Sequence, residues 1–319
     1  MERISLTLFT LLFLFTECLA QNCCSGGVPL SSNIGIVPTS KSNFQAALVG
    51  DINYLKRVMR GSQRVDDRIR ERRTTSLLFI SSYSIYERIS VDLTLSWVQQ
   101  FRKINGFSGQ INTEQSSGIG DIAILAKYRF LKTEKTGFDG FGGLGAKLAT
   151  GKTNQLNKDG IRLSLDMQPG SGAFDKLFWL YFQQALPENR IKFLTSSLFQ
   201  LTGTFKEYNL TQKYKVGNSL VSRFGIIKNL TVANQLIDFS LEFLFRKNWI
   251  DIVENQKLPN TGGQWIFIKP GLIWSFNESL SINLATEMPI YSEVVGEQLS
   301  SSSRVILQVN FSSPRKQFD

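Results

Sequence analysis

Ile89-Ser-Val-Asp-Leu-Thr-Leu-Ser-Trp97 alternates without interruption, with Ile89, Val91, Leu93, Leu95 and Trp97 on one parity and Ser90, Asp92, Thr94 and Ser96 on the other. Successive side chains of an extended strand point to opposite faces, so this stretch is a strand with one apolar and one polar face. The period returns at Ile122, Ile124, Ala126, Tyr128 and Phe130 against Asp121, Lys127 and Arg129. It recurs at Ile237 to Phe245 against Asp238, Ser240, Glu242 and Arg246, at Leu280 to Leu284, and at Val305 to Phe311 against Arg304, Gln308 and Asn310. Repeated segments of about ten residues with this alternation predict a transmembrane antiparallel β-barrel, in which apolar side chains meet lipid and polar ones face inward.

Adding weaker segments predicts twelve strands, at 45–59, 74–86, 89–103, 118–131, 139–150, 173–186, 191–205, 215–227, 231–246, 263–276, 279–289 and 303–311. Connections after even-numbered strands are short (Glu87-Arg88, Lys132–Phe138, Pro187–Arg190, Lys228–Leu230, Asn277-Glu278). Those after odd-numbered strands are mostly longer (Arg60–Arg73, Ile104–Ser117, Gly151–Gly172, Lys206–Tyr214, Lys247–Gly262, Ile290–Ser302). Short turns at one rim and long loops at the other describe an outer-membrane barrel, and an even strand count puts both termini in the periplasm. A soluble sandwich or lipocalin-like barrel also alternates, but its strands are usually ~5–6 residues long. Aromatics near strand ends (Tyr83, Trp97, Tyr128, Phe130, Trp274, Phe276, Phe311) fit interfacial girdles. Strands one, six, seven and eight alternate poorly, which leaves their facing open.

The chain begins with Arg3, an apolar run from Leu6 to Phe15 and small residues at Cys18 and Ala20. That run is too short to span a bilayer and reads as an export signal, residues 1–20, cut before Gln21. Residues 21–44 are then a periplasmic N-terminal segment, 45–311 the barrel and 312–319 a tail; Phe318 is a second candidate for the terminal aromatic that such barrels carry. Adjacent Cys23 and Cys24 cannot staple distant segments and are weak metal-ligand candidates at most.

Composition excludes much. The chain has no histidine, which removes Ser-His-Asp triads and His-ligated zinc. Charged residues are 19%, below the ~25% of soluble domains. Gly145 to Thr153 looks like a phosphate loop, but Ala146 stands where its first glycine belongs, so nucleotide binding is set aside. No cofactor is expected.

Five segments in order carry a resemblance: Gly118-Ile-Gly-Asp-Ile-Ala-Ile-Leu-Ala-Lys-Tyr-Arg-Phe130, Gly143-Leu-Gly-Ala-Lys-Leu-Ala-Thr-Gly-Lys152, Met167-Gln-Pro-Gly-Ser-Gly-Ala-Phe-Asp175, Lys269-Pro-Gly-Leu272, and Glu287-Met-Pro-Ile-Tyr291 with Gly296-Glu-Gln-Leu299. Over roughly residues 45 to 311 the chain resembles the bacterial outer-membrane family catalogued as transporters of the phenol meta-cleavage pathway, in a form found in Bacteroidetes. The resemblance implies a barrel in the cell outer membrane of a Gram-negative bacterium that passes small molecules, aromatic or hydrophobic ones among them.

On the polar faces lie Asp92, Asp121, Asp238, Glu242 and Glu287 against Lys127, Arg129, Lys147, Lys192, Arg223, Arg246, Lys269 and Arg304. They are the candidate pore lining, and the excess of bases predicts an anion-biased lumen. Trp265 and Phe267 share the parity of Lys269 and either line a route for a ring-bearing solute or plug it. Arg60, Arg64, Arg68, Arg70, Arg72 and Arg73 form a basic surface loop that is either simply solvated or met by lipopolysaccharide phosphate, a nearer partner than nucleic acid. The expected function is a channel for small solutes, without enzymatic activity. The alternative is a non-transport barrel acting as a structural or partner-binding accessory subunit. Oligomeric state is not legible.

Overall fold

A computed structural model describes residues 44–313 apart from 106–109, 134, 209–210 and 233–234. The export signal, Cys23, Cys24, nearly all of the N-terminal segment and Phe318 lie outside the described residues. The chain forms β1 (Phe44–Arg60), β2 (Gln63–Val65), β3 (Glu71–Tyr86), β4 (Ile89–Asn105), β5 (Ile111–Ile119), β6 (Ile122–Thr133), β7 (Phe138–Leu148), β8 (Asp175–Leu186) and β9 (Ile191–Leu201). There follow β10 (Tyr214–Lys215), β11 (Ser219–Val232), β12 (Gln235–Asn248), β13 (Ile252–Val253), β14 (Gln256–Lys257), β15 (Gly263–Ser275), β16 (Leu280–Val294) and β17 (Glu297–Ser313).

Each long strand pairs antiparallel with its chain neighbour, and β17 closes on β1 from Phe44↔Ser313 to Arg60↔Glu297. Counting β5 and β6 as one broken stave, this is the expected closed barrel of twelve strands. Pairing β17 with β1 removes the two open edges that a sheet of these long strands would otherwise present.

Burial follows parity. On β4, Ser90, Asp92, Thr94, Ser96 and Val98 are buried inside while Ile89, Leu93, Leu95 and Trp97 face out and stay exposed. From Ile89 to Trp97 the apolar side chains cover eight residue steps, about 26 Å of strand, close to the ~25 Å apolar band of such barrels. β1, β4 and β17, each 17 residues long, therefore project beyond that band on the long-loop side.

Two of the poorly alternating strands, β8 and β1, carry apolar side chains on both faces. β8 points Leu177, Trp179 and Tyr181 inward and Phe178 and Leu180 outward, and the inner three join Ala123, Leu125, Phe141 and Leu198 in an interior cluster. A second cluster joins Ala47, Val49, Leu78, Ile80 and Ile306 on β1, β3 and β17. A barrel of this width thus fills part of its interior with apolar side chains, as narrow barrels do.

Three connections differ from expectation. Ile290–Ser302 is not a long loop: β16 runs to Val294, Val295-Gly296 makes the turn with Gly296 at φ +73°, and β17 starts at Glu297. Its serines read as loop-like but face the interior, where Ser300 Oγ accepts the Trp265 Nε1–H (2.9 Å) and Ser301 Oγ donates to Asn53 Oδ1 (2.8 Å). Much of Ile104–Ser117 is strand as well, since Lys103 to Asn105 pair with Thr113 to Ile111. Lys228–Leu230, placed as a turn, is strand: β11 runs to Val232 and pairs with β12 as far as Val232↔Gln235, and Asn229 is tied into the wall by Arg190 O (2.9 Å) and Asp238 Oδ1 (2.8 Å).

Candidate functional site

The predicted pore-lining residues are placed on the inner face, most of them joined in ion pairs. Lys127 Nζ lies 2.6 Å from Asp92 Oδ1 with both side chains almost fully buried. Arg304 reaches Asp51 at 2.5 Å and Glu287 at 3.8 Å, and Arg246 reaches Glu287 at 3.3 Å, forming one chain across β1, β17, β16 and β12. Glu242 sits 3.3 Å from Lys269 and 3.9 Å from Arg223, and Arg129 is 3.9 Å from Asp139. Asp238 accepts from Asn229, and Lys192 is half-buried on the inward parity. Trp265 and Phe267 are fully buried, packed with Met59, Leu244 and Val294, and the Arg246 guanidinium lies 4.9 Å from the Phe267 ring.

Asp51, Asp139 and Asp175 are carboxylates that the sequence reading did not assign to the interior. They offset the excess of bases on which the expected anion bias rests, so that bias does not follow from the interior. The sequence signal for Asp51 was weak because its neighbours Val49 and Leu55 make the inward face of β1 largely apolar.

The stave between β4 and β7 is broken at Gly120-Asp121. Gly120 N–H donates to Ser96 O (2.9 Å), and a Cβ there would meet the Ser96 hydroxyl and come within 3.2 Å of Pro169 O, so any larger residue must displace the serine side chain. The break turns Asp121 inward, where Lys147 Nζ (2.8 Å), Gly151 N–H (2.9 Å), Ser171 N–H (2.9 Å) and Ser171 Oγ (2.6 Å) converge on it. Lys147 also pairs with Asp175 (2.8 Å), which accepts the Gly203 N–H (2.9 Å). These bonds cinch both ends of the connection between β7 and β8, residues 149–174, to the wall. Above the break β7 has ended, and loop residues stand beside β5 instead, with Lys152 N–H on Ile119 O (3.3 Å) and Gln155 Nε2 on Ser117 O (3.2 Å).

The far part of this loop lies against the inner faces of β3, β4 and β5. Arg72 and Arg102 grip Asp166 at 2.8 and 3.2 Å, Arg102 also holds Glu114, and Ser164 Oγ accepts from Arg102 (3.0 Å). Ser116 Oγ donates to Met167 O (2.5 Å), and Gln100 Nε2 to Gln168 O (3.3 Å). Leu163, Leu165 and Met167 are buried. The loop is thus an inward plug at the long-loop mouth: its returning leg, 163–168, is held by two buried arginines, while residues 158–161 of its turn are exposed. Sequence reasoning missed Gln100, Arg102 and Asp166. Extending the β4 alternation past Trp97 finds the first two, whereas Asp166 lies in an aperiodic loop and leaves no signal.

At the base of the plug Gly151 and Gly170 touch, a Cβ on Gly151 falling 2.6 Å from the Gly170 Cα. Gly151→Ala is expected to push the two loop ends apart and speed tryptic cleavage after Lys152 and Arg162, where the wild-type backbone is tied to the wall, in folded protein. Wild-type resistance in the variant counts against a cinched loop.

Arg72 is therefore corrected from surface loop to lumen, with 1% exposure. Of its neighbours, Arg60 pairs with Glu297 (2.6 Å), and Arg70 bridges Asp67 and Glu297. Burial pushes the Asp67 carboxyl up, but the N–H groups of Ile69 and Arg70 and the Arg70 guanidinium outweigh it and hold the group below the usual carboxylate range. Arg64, Arg68 and Arg73 are exposed.

No protein-family model and no curated protein sequence matches the chain. Among solved structures it is similar to an outer membrane channel from Pseudomonas putida F1, at 9% identity and a TM-score of 0.65, over 87% of this chain and 97% of that one. It is also similar to the transport unit of the autotransporter AIDA-I from Escherichia coli, at 11% identity and a TM-score of 0.50, over 94% and 100% of the two chains. At these identities the likeness is one of fold: the chain has the closed antiparallel β-barrel architecture of outer-membrane proteins.

Proposed function

We propose that this chain is a channel for small solutes in the outer membrane of a Gram-negative bacterium, closed in this conformation by the 149–174 loop and surrounded by lipopolysaccharide in the outer leaflet. The observation that carries the reading is the plug itself. A barrel mouth is occupied by a chain segment whose returning leg, 166–168, is held by ion pairs and hydrogen bonds to Arg72, Arg102, Gln100 and Ser116. The arginine bonds are charge-assisted and buried, each worth about 1.5–3 kcal/mol, so neutralising the two arginines is the direct way to release the segment. Behind the plug, guanidinium groups stack on inner aromatics, Arg129 on Phe141 and Arg246 on Phe267, both at 4.9 Å. Ring faces and cations of this kind suit small aromatic solutes. The inner charges are read as pore lining, and no catalytic role is assigned to them.

Planar-bilayer conductance tests it. Wild type is expected to show small, intermittent conductance, and Arg72→Gln with Arg102→Gln, which releases the plug at Asp166, a severalfold larger one. The packed interior, with Trp179, Trp265 and Phe267 all nearly unexposed, favours the second reading, a non-conducting accessory barrel. Correctly folded wild type and double variant that both fail to conduct would establish that reading and overturn the first.

A further inference from the structure

The outer wall of β3 and β4 above the lipid belt carries an arrangement that neither the plug nor the lumen uses. Outward residues at successive levels follow from the pairings. Leu77 stands beside Trp97, Thr75 beside Gln99, Arg73 between Tyr54 and Phe101, and Glu71 beside Lys103. Gln115 of β5 extends the Arg73 level beyond Phe101. Arg73, Thr75, Gln99, Phe101 and Gln115 line one shallow cleft in this wall. Reading outward from the membrane, the surface is apolar, then amide and hydroxyl, then cationic. Arg73 stands four residues above Leu77, roughly 13 Å along the strand.

The cations there are under-compensated. Lys56 and Lys103 share one carboxylate, Glu71, at 3.9 and 2.6 Å. Among the described residues Arg73 has no carboxylate within 4.0 Å, and it is exposed. Aromatic rings brace the lysine stems, with Lys56 Nζ 5.6 Å from the Tyr54 centroid and Lys103 Nζ 5.7 Å from that of Phe101. Three cations against one acid on a wall directly above lipid call for an anion that is itself anchored in the bilayer.

We propose that this cleft binds a phosphorylated glycolipid of the outer leaflet, the lipid A end of lipopolysaccharide. Its acyl chains lie on Leu77 and Trp97. Its sugar hydroxyls meet Thr75, Gln99 and Gln115, and its phosphate meets the Arg73 fork, with Lys103 and Lys56 beside it. A guanidinium matches phosphate oxygens in a planar, two-bond geometry that an ammonium does not. A soluble phosphate would gain nothing from the apolar step beneath, and a phospholipid headgroup offers no sugar to the amides. The inference rests on the outer-leaflet setting proposed above and is independent of whether the barrel conducts. It also moves the expected lipopolysaccharide contact from the arginine loop to the barrel wall.

The test is retention of lipid A by the full chain in detergent, read by native mass spectrometry, with heat-modifiable gel migration reporting the fold and bilayer conductance recorded on the same samples. Arg73→Gln with Lys103→Gln is expected to lower lipid A retention about tenfold, a change of one charge-assisted phosphate contact. Arg64→Gln with Arg68→Gln in the loop should leave it unchanged. Wild type should retain dephosphorylated lipid A and phosphatidylglycerol no better than the wall variant retains lipid A. Equal loss from the loop pair, undiminished retention by folded wall variant, or phosphatidylglycerol held as well as lipid A overturns the proposal. Conductance is expected to be the same in wild type and wall variant, so a failure of the channel reading shows separately. If Arg73→Gln with Lys103→Gln does not fold, Arg73→Lys, which keeps the charge and loses the fork, should still weaken retention; unchanged retention there also counts against the site.

Discussion

Asp92→Ala is expected to destabilise the barrel by about 3–5 kcal/mol, the usual cost of orphaning one member of a buried ion pair. The Lys127 ammonium is fully buried and 2.6 Å from Asp92. The Ser82 hydroxyl at 3.4 Å and the Trp179 ring at 5.7 Å also border it, and neither carries a formal charge. Adding Lys127→Met should recover most of the loss, because removing both charges of a buried pair is often neutral or stabilising by ~1–4 kcal/mol. Urea unfolding in lipid vesicles, followed by tryptophan emission, measures the cycle. A single variant within about 0.5 kcal/mol of wild type would mean that water reaches the pair and that the lumen is wet at this level.

Leu241→Arg should cost about 2–4 kcal/mol, the range for arginine on the lipid face at the bilayer midplane. Leu241 stands in the middle of β12, pairs with Ile226 and Pro270, and points outward between Phe239 and Phe243. Leu93→Arg on β4 is the equivalent change, since Leu93 faces out between Val91 and Leu95. The contrast is Leu280→Arg at the first position of β16, beside the short turn, where snorkelling should reduce the cost to about 0–1 kcal/mol. The same vesicle unfolding assay reads all three. Equal, small costs at Leu241 and Leu280 would put the hydrophobic midplane elsewhere and overturn the facing derived from alternation.

Alternation in β4, β6 and β12 made the barrel legible because a wall that separates lipid from a polar interior imposes a period of two on every strand that obeys it. It was silent in β8, where Trp179 and Tyr181 inside and Phe178 and Leu180 outside give an apolar run with no period. Turn chemistry misled at Asn229, whose side chain bonds across the hairpin to Asp238 instead of capping a turn. The Ser300–Ser303 run misled for a related reason. Small hydroxyl residues suit loops, yet on β17 they are what fits against Trp265 and Asn53 inside a crowded barrel.

By itself the sequence determined the strands, their number, the lipid-facing side of the regular ones and the inward parity of Lys127, Arg129, Arg246 and Arg304. Each of these depends only on residues two apart along one chain segment. Tertiary structure decided which charge meets which: Arg304 with Asp51, 253 residues away, and Arg72 with Asp166, 94 residues away. It also decided that a loop fills the mouth and that Arg73 stands on the outer wall while Arg72 is held inside by that loop. Those outcomes follow from barrel closure and from the fold of an aperiodic loop, which bring distant segments to one level, and local pattern carries no record of which segments meet.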